Sequence, residues 1–213
     1  MRFPSATRLV VLCRRESAAQ EALRRIRIIM GRLGLELHSE KTRVVRLNWG
    51  EGSFQFLGWT VRKRRSILRN PRACFVQRWP SPKAMRRIRD RVHELTDVRR
   101  GPARRMSELI ELLNPVLRGW GNYFRTGNSH EKFKDVDTYA YERVLDWQWR
   151  RGGQRTRFRY DRWPRQRLWD LGLYKLAGTV RYPVQAISGK PSVSCVPETG
   201  MHSLKGVAGN GPR

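Results

Sequence analysis

The residues best suited to chemistry in this sequence are cations interleaved with aromatics. In Leu117-Arg118-Gly119-Trp120-Gly121-Asn122-Tyr123-Phe124-Arg125, the guanidinium groups can meet phosphate oxygens and Asn122 can meet phosphate or a base edge. Trp120 and Phe124 fall on an apolar stripe and are expected in a core, whereas Arg118, Asn122 and Arg125 project elsewhere. Gly119 and Gly121 each cost about 1 kcal/mol of helix propensity, so either close packing or close approach of a ligand is expected there. Carboxylate chemistry is poorly provided for, because the first aspartate is Asp90 and the acids before it are Glu16, Glu21, Glu36, Glu40 and Glu51. Two-metal phosphoryl transfer needs carboxylates converging on ions ~3.5 to 4 Å apart. Asp135 and Asp137 lie two apart, a spacing that points them to different helix faces, and read as solvated charges suited to a helix N-terminus. His38, His93, His130 and His202 have no second ligand at metal-binding spacing, so no metal or hydrolytic site is expected. Gly50-Glu51-Gly52 and Gly152-Gly153 read as turns rather than phosphate loops.

Charge explains why phosphate is the expected counterpart. The 213 residues include 45 Lys and Arg against 18 Asp and Glu, a formal charge of +27. Self-repulsion at this density disfavours the isolated compact state, so a polyanion, above all nucleic acid, is the natural partner. The chain is not a disordered basic tail, because 39% hydrophobic residues with 8 Trp, 7 Phe and 6 Tyr can build a core. Cys13, Cys74 and Cys195 show no paired spacing, which suggests a reducing, cytoplasmic setting. The apolar run Leu9-Val10-Val11-Leu12 is too short for a signal peptide and is followed by Arg14-Arg15. No stretch approaches the ~20 apolar residues of a membrane span, so no membrane partner is expected.

Periodicity predicts the elements that must position these groups. Leu9 to Cys13 reads as a strand buried on both faces. A helix follows, with Ser17 and Gln20 as a capping box, Ala19, Leu23, Ile26, Met30 and Leu33 as its apolar stripe, and Gly34 as its stop. Thr42 to Trp49 and Ser53 to Lys63 read as two strands of a hairpin joined by Gly50 to Gly52. Between Arg62 and Arg105 there are 16 Lys and Arg against Asp90, Glu94 and Asp97, and a domain boundary is expected near Pro80. Ser81-Pro82 should open a helix with Met85, Ile88, Val92 and Leu95 inward and Lys83, Arg86, Arg87 and Arg91 largely outward. A further helix carries Leu109, Leu112, Leu113, Val116, Leu117, Trp120 and Phe124, with a kink or restart expected at Asn114-Pro115. Ser129 should cap the next, with Phe133, Val136, Ala140, Val144 and Trp147 inward, and a shorter one is expected from Arg165 to Leu176. Beyond Pro183 the composition reads as a flexible tail with no assigned structure.

Residues 9 to 180 resemble the C-terminal part of a group II intron-encoded reverse transcriptase and maturase. Leu33-Gly34-Leu35-Glu36-Leu37-His38-Ser39-Glu40-Lys41-Thr42-Arg43 is similar to a late palm motif of that family. Phe54-Gln55-Phe56-Leu57-Gly58-Trp59 is similar to its primer-gripping hairpin, with Phe56, Leu57 and Gly58 at the grip. Asn114 to Arg125 resembles the signature of the maturase-specific region, the helical thumb or X domain. The family's Tyr-Ala-Asp-Asp, which supplies its metal-binding aspartates, falls at Ser5-Ala6-Thr7-Arg8 when counted back from Leu12-Cys13, so both carboxylates are lacking. The fingers and earlier palm, and an endonuclease domain, are not visible in these residues.

The resemblance implies an α+β fold in three parts: a palm-remnant sheet with one helix and a hairpin over 1–79, a helical maturase domain over 80–182, and a flexible tail over 183–213. It implies an RNA-binding protein that holds structured group II intron RNA without catalysis of its own. Phosphate contacts are expected from Arg86, Arg87, Arg104, Arg105, Arg118, Arg125, Lys132 and Lys134, with Asn122 beside them. No cofactor is expected, Mg2+ being required only by an intact polymerase of this family. The alternatives are a polymerase subunit, inactive alone and completed by another chain that supplies fingers and aspartates, and a relic without function.

Overall fold

The computed structural model describes residues 8–47, 52–65, 74–152, 160, 163–181 and 201–206. The chain forms two compact units, Met1–Arg78 with Ser188–Arg213, and Trp79–Ile187. Ser5, Ala6 and Thr7, Gly50 and Glu51, Gly153, Tyr182, and residues 183–200 and 207–213 of the expected tail lie outside the described residues.

The first unit is α+β. Strand β1 (Leu9–Cys13), helix α1 (Glu16–Arg32), a 3-10 turn at Ser39–Lys41, β2 (Arg43–Leu47), β3 (Ser53–Phe56), β4 (Trp59–Arg65) and β5 (Cys74–Pro80) follow in order, and β6 (Met201–Gly206) closes the series. One sheet has the order β1-β6-β2 and the other β3-β4-β5. Strand β6 runs antiparallel to both neighbours, from Leu9 opposite Gly206 on one side to Leu47 opposite Met201 on the other. β6 is a strand inside a segment whose sequence assigned none: Met201-His202-Ser203-Leu204-Lys205-Gly206 carries no strong period-2 apolar signal, and its order comes from main-chain pairing along both edges.

Three expectations for this unit need correction. Strand β1 is not buried on both faces, since Leu9 and Leu12 are exposed, Leu12 by 63%; an edge strand of a three-stranded sheet has little cover beyond α1. Helix α1 begins at Glu16 with Arg15 at its cap and no side-chain cap bond, so the Ser17 capping box does not form. An ion pair between Glu16 and Arg46 ties its first turn to β2. Finally, β2 and the Ser53 to Lys63 segment are not partners in one hairpin. The segment itself folds back as β3 and β4, with Phe56 opposite Trp59, because Leu57 and Gly58 take φ of +47° and +81°, the positive pair that tightens a two-residue turn of the type I′ kind.

That turn carries a cost that substitution can relieve. A leucine held at positive φ is strained, and Leu57 is half-exposed at the hairpin tip. Leu57→Asn should therefore raise the stability of this unit by about 1 kcal/mol, read as a higher thermal midpoint; a lower midpoint would show that the leucine side chain matters more than its backbone. Gly52 is fixed by close approach instead, because a Cβ there would lie 2.3 Å from the Arg46 carbonyl oxygen.

The second unit is helical: α2 (Pro82–Leu95), α3 (Met106–Phe124), α4 (His130–Gly152) and α5 (Arg165–Asp170). Ser81 caps α2 by accepting from the Ala84 N–H at 3.2 Å, with Pro82 just inside. Met85, Ile88, Val92 and Leu95 are buried as the stripe requires, and Phe133, Val136, Ala140, Val144 and Trp147 form the buried face of α4. Helix α2 packs on α3 and α4. Helix α3 runs without interruption through Pro115, contrary to the expected kink or restart. Pro115 and Glu111, whose carbonyl loses its partner, are both exposed, so water can serve that carbonyl. Its inward face also differs slightly, with Ile110 buried and Leu112 exposed. The Ser129 hydroxyl donates to the Phe124 carbonyl at 2.8 Å and so closes the end of α3.

Helix α5 ends at Asp170, earlier than the Leu176 expected, because Gly172 turns the chain at φ +95°. The residues that follow form an extended strap held by side chains of α3 and α4. Asn114 donates through Nδ2 to the Gly172 carbonyl and accepts at Oδ1 from the Tyr174 N–H, both at 2.8 Å. The Asp137 carboxylate accepts from the Leu176 and Ala177 N–H groups at 2.9 and 2.8 Å. Asp137 is thus not the solvated charge its sequence position implied. Leu168 of α5 and Leu173 and Leu176 of the strap are buried.

Candidate nucleic-acid interface

The basic residues expected to meet phosphate lie on α2, on the turn between α2 and α3, on α3 and on α4. Arg86 and Arg87 are exposed on α2, away from its buried stripe. The turn between α2 and α3 carries Arg99, Arg100, Arg104 and Arg105, all exposed. It is ordered by acids acting on its backbone: Asp97 Oδ1 accepts from the N–H groups of Arg99 at 2.8 Å and Arg100 at 3.2 Å, and Glu108 Oε2 accepts from those of Arg104 at 2.8 Å and Arg105 at 3.2 Å. These bonds hold both carboxyls below their usual range, with the Arg99 N–H foremost at Asp97 and the Arg104 N–H foremost at Glu108. Gly101 permits the fold of the turn, since a Cβ there would lie 2.3 Å from the Asp97 carbonyl oxygen. The result leaves four cationic side chains on a turn in which the N–H groups of those same arginines are already bonded to Asp97 and Glu108.

On α3, the Arg118 guanidinium rests over the Tyr174 ring at 5.2 Å, a cation–π contact that fixes its direction. Asn122 is exposed one turn further on and Arg125 is half-buried at the end of the helix. Lys132 and Lys134 on α4 are engaged by acids of their own helix, Lys132 with Asp135 at 3.3 Å and Lys134 with Glu131 at 3.4 Å. Such surface pairs contribute about 0 to 1 kcal/mol, so a polyanion can displace them. Trp120 packs on Phe124 and Phe133, with centroids 4.9 and 5.4 Å away, in keeping with a core role. The two glycines separate cleanly: a Cβ on Gly121 would lie 2.5 Å from Leu176 Cδ2, whereas one on Gly119 would meet nothing within 4 Å. Phe56, Leu57 and Gly58 sit at the β3–β4 turn of the other unit.

Of the expected contacts, the structure brings Arg104 and Arg105 together in an open cleft of about 240 Å³, which Met106, Trp147, Gln148 and Arg151 complete. Arg151 donates to the Ala103 carbonyl at 3.1 Å, and its guanidinium lies over the Trp147 ring at 5.0 Å. Trp147 is 2% exposed, and its indole N–H is buried without a hydrogen-bond partner, a deficit of about 1 to 3 kcal/mol. Sequence reading missed Gln148 and Arg151. The one legible signal was the four-residue spacing of Trp147 and Arg151, which sets a cation beside an aromatic on one helix face. Among the described residues no three His, Cys, Asp or Glu side chains are grouped to hold a metal ion, and no helix is long and apolar enough to cross a membrane.

Residues 85–169 match the group II intron, maturase-specific domain. The helical unit carries a group II intron maturase-specific domain. The match begins inside α2 and ends inside α5, so the maturase-specific domain includes both arginine pairs of α2 and of the α2–α3 turn, the Arg118 to Arg125 segment and the whole of α4. No curated protein matches the chain.

Proposed function

We propose that the maturase-specific domain holds structured group II intron RNA in its active fold, while the RNA itself performs the splicing chemistry. The observation that carries this reading is the coincidence of the matched residues with a helical unit that directs arginines outward from α2, from the α2–α3 turn and from α3. Guanidinium groups on a rigid scaffold suit phosphate positions along a folded RNA, and recognition of such RNA rests chiefly on shape and backbone contacts.

The test is the affinity of the chain for a structured group II intron RNA against an equal-length duplex competitor over a salt series. Preference for the intron RNA that survives competitor at ~0.2 M salt is expected, since shape recognition adds to counterion release. Arg86→Gln, Arg87→Gln and Arg118→Gln should each lower the slope of log affinity against log salt by about 1. Equal binding of both RNAs that collapses with salt would reduce the domain to a generic polycation.

A further inference from the structure

The cleft between the α2–α3 turn and the last turns of α4 has unmet hydrogen-bonding capacity of a specific kind. Arg104, Arg105 and Arg151 reach it from two separate elements, and among the described residues none of the three is in an ion pair. The Glu108 carboxylate next to it is engaged by the backbone N–H groups of Arg104 and Arg105. The Trp147 indole N–H is buried without an acceptor. The side-chain amide of Gln148, which can donate and accept, makes no hydrogen bond among the described residues. At about 240 Å³ the cleft is smaller than the ~300 Å³ at which pockets for drug-sized ligands begin, so a nucleotide cofactor is too large for it and a phosphate with its sugar is the better fit.

We propose that this cleft takes the phosphate and ribose of one nucleotide of an RNA backbone, with its base outside. The phosphodiester oxygens accept from the three guanidinium groups, which match phosphate in a fork geometry. The ribose 2′-hydroxyl, itself donor and acceptor, exchanges hydrogen bonds with the Gln148 amide and makes the site prefer RNA to DNA. The Trp147 ring, which lines the cleft with the Arg151 guanidinium over it, lies close enough to report its occupancy. This rests on the RNA-binding reading above and gives that interface one sugar-specific position.

The test uses the full chain and two probes, the intron RNA and a short single-stranded oligoribonucleotide with its deoxy counterpart. Arg105→Gln and Arg151→Gln should each weaken intron RNA binding by about tenfold or more, since charge-assisted bonds in a cleft exceed those on an open face. Arg86→Gln, which removes the same charge from α2, should weaken it less. Gln148→Ala should weaken the oligoribonucleotide and leave the deoxy strand unchanged. In the wild type, the Trp147 indole N–H resonance, assigned with Trp147→Phe, should shift on titration with the oligoribonucleotide. Cleft variants indistinguishable from Arg86→Gln, equal loss of both strands in Gln148→Ala, or an unmoved indole resonance would each overturn the proposal. A wild type without preference for intron RNA over duplex would defeat the maturase reading instead, and the indole titration would still decide the cleft.

Discussion

Asp137→Ala should destabilise the helical unit by about 2 kcal/mol, because it strips the acceptor from two backbone N–H groups of the strap at once. Each of the Leu176 and Ala177 donors would cost about 1 to 3 kcal/mol if left unsatisfied, and release of the desolvated carboxylate returns part of that. Chemical denaturation followed by tryptophan fluorescence measures the change; a loss below about 0.5 kcal/mol would mean that water replaces the carboxylate. Asn114→Ala removes the other anchor, at Gly172 and Tyr174. The double variant should lose less than the sum of the two, since either change frees the same strap.

The charge of Asp137 adds a pH signature of unusual sign. Burial pushes its carboxyl above the ordinary value of 3.8, outweighing the Leu176 and Ala177 N–H donors. Its folded form therefore binds the proton more tightly than the unfolded chain. The associated stability is fully present below pH 3.8 and is lost as pH rises through the folded value. Asp97 and Glu108, with lowered pKa values, act in the opposite direction, so the wild type must be compared with Asp137→Asn, which does not titrate. The stability of the wild type relative to that variant should fall as pH rises from about 3.5 to neutrality. A rising difference would show that the hydrogen bonds to the ionised form prevail over desolvation.

Much of the helical unit was legible because its signals are local. Ser81-Pro82 and the stripe from Met85 to Leu95 define α2 from cap to core, and the inward face of α4 follows from spacing alone. What escaped depends on partners far along the chain. Asn114 and Asp137 act on backbone groups tens of residues away, and a polar side chain bound to a distant N–H leaves no period in the sequence. The same holds for β6, whose order comes from two edges rather than from its own residues, and for the cleft, where Arg104 and Arg105 meet Gln148 and Arg151 only because α4 returns to the α2–α3 turn. The hairpin was misplaced for a different reason. A turn at Leu57-Gly58 needs positive φ at a leucine, and no propensity rule favours that.

The glycines of the maturase signature give the sharpest test of how the strap and α3 fit. Gly121→Val should destabilise the unit by about 1 to 3 kcal/mol through overpacking, because its Cβ would lie 2.5 Å from Leu176 Cδ2 and Leu176 is 0% exposed, so its side chain would have to shift within the core. Leu176→Ala alone should cost about 2 to 5 kcal/mol by leaving a cavity at the same place. Combined, the two changes should be less harmful than their sum by about 1 kcal/mol or more, since the valine occupies space that the leucine vacates. Gly119→Ala, where the added methyl meets nothing within 4 Å, should instead stabilise α3 by up to about 1 kcal/mol. Strict additivity at Gly121 and Leu176 in denaturant titrations would mean that the strap moves away from α3 rather than bearing on it. Compensation there with a gain at Gly119 would assign Gly121 to close packing and leave Gly119 on the open face of α3, where its own conformational cost has no structural return within the unit.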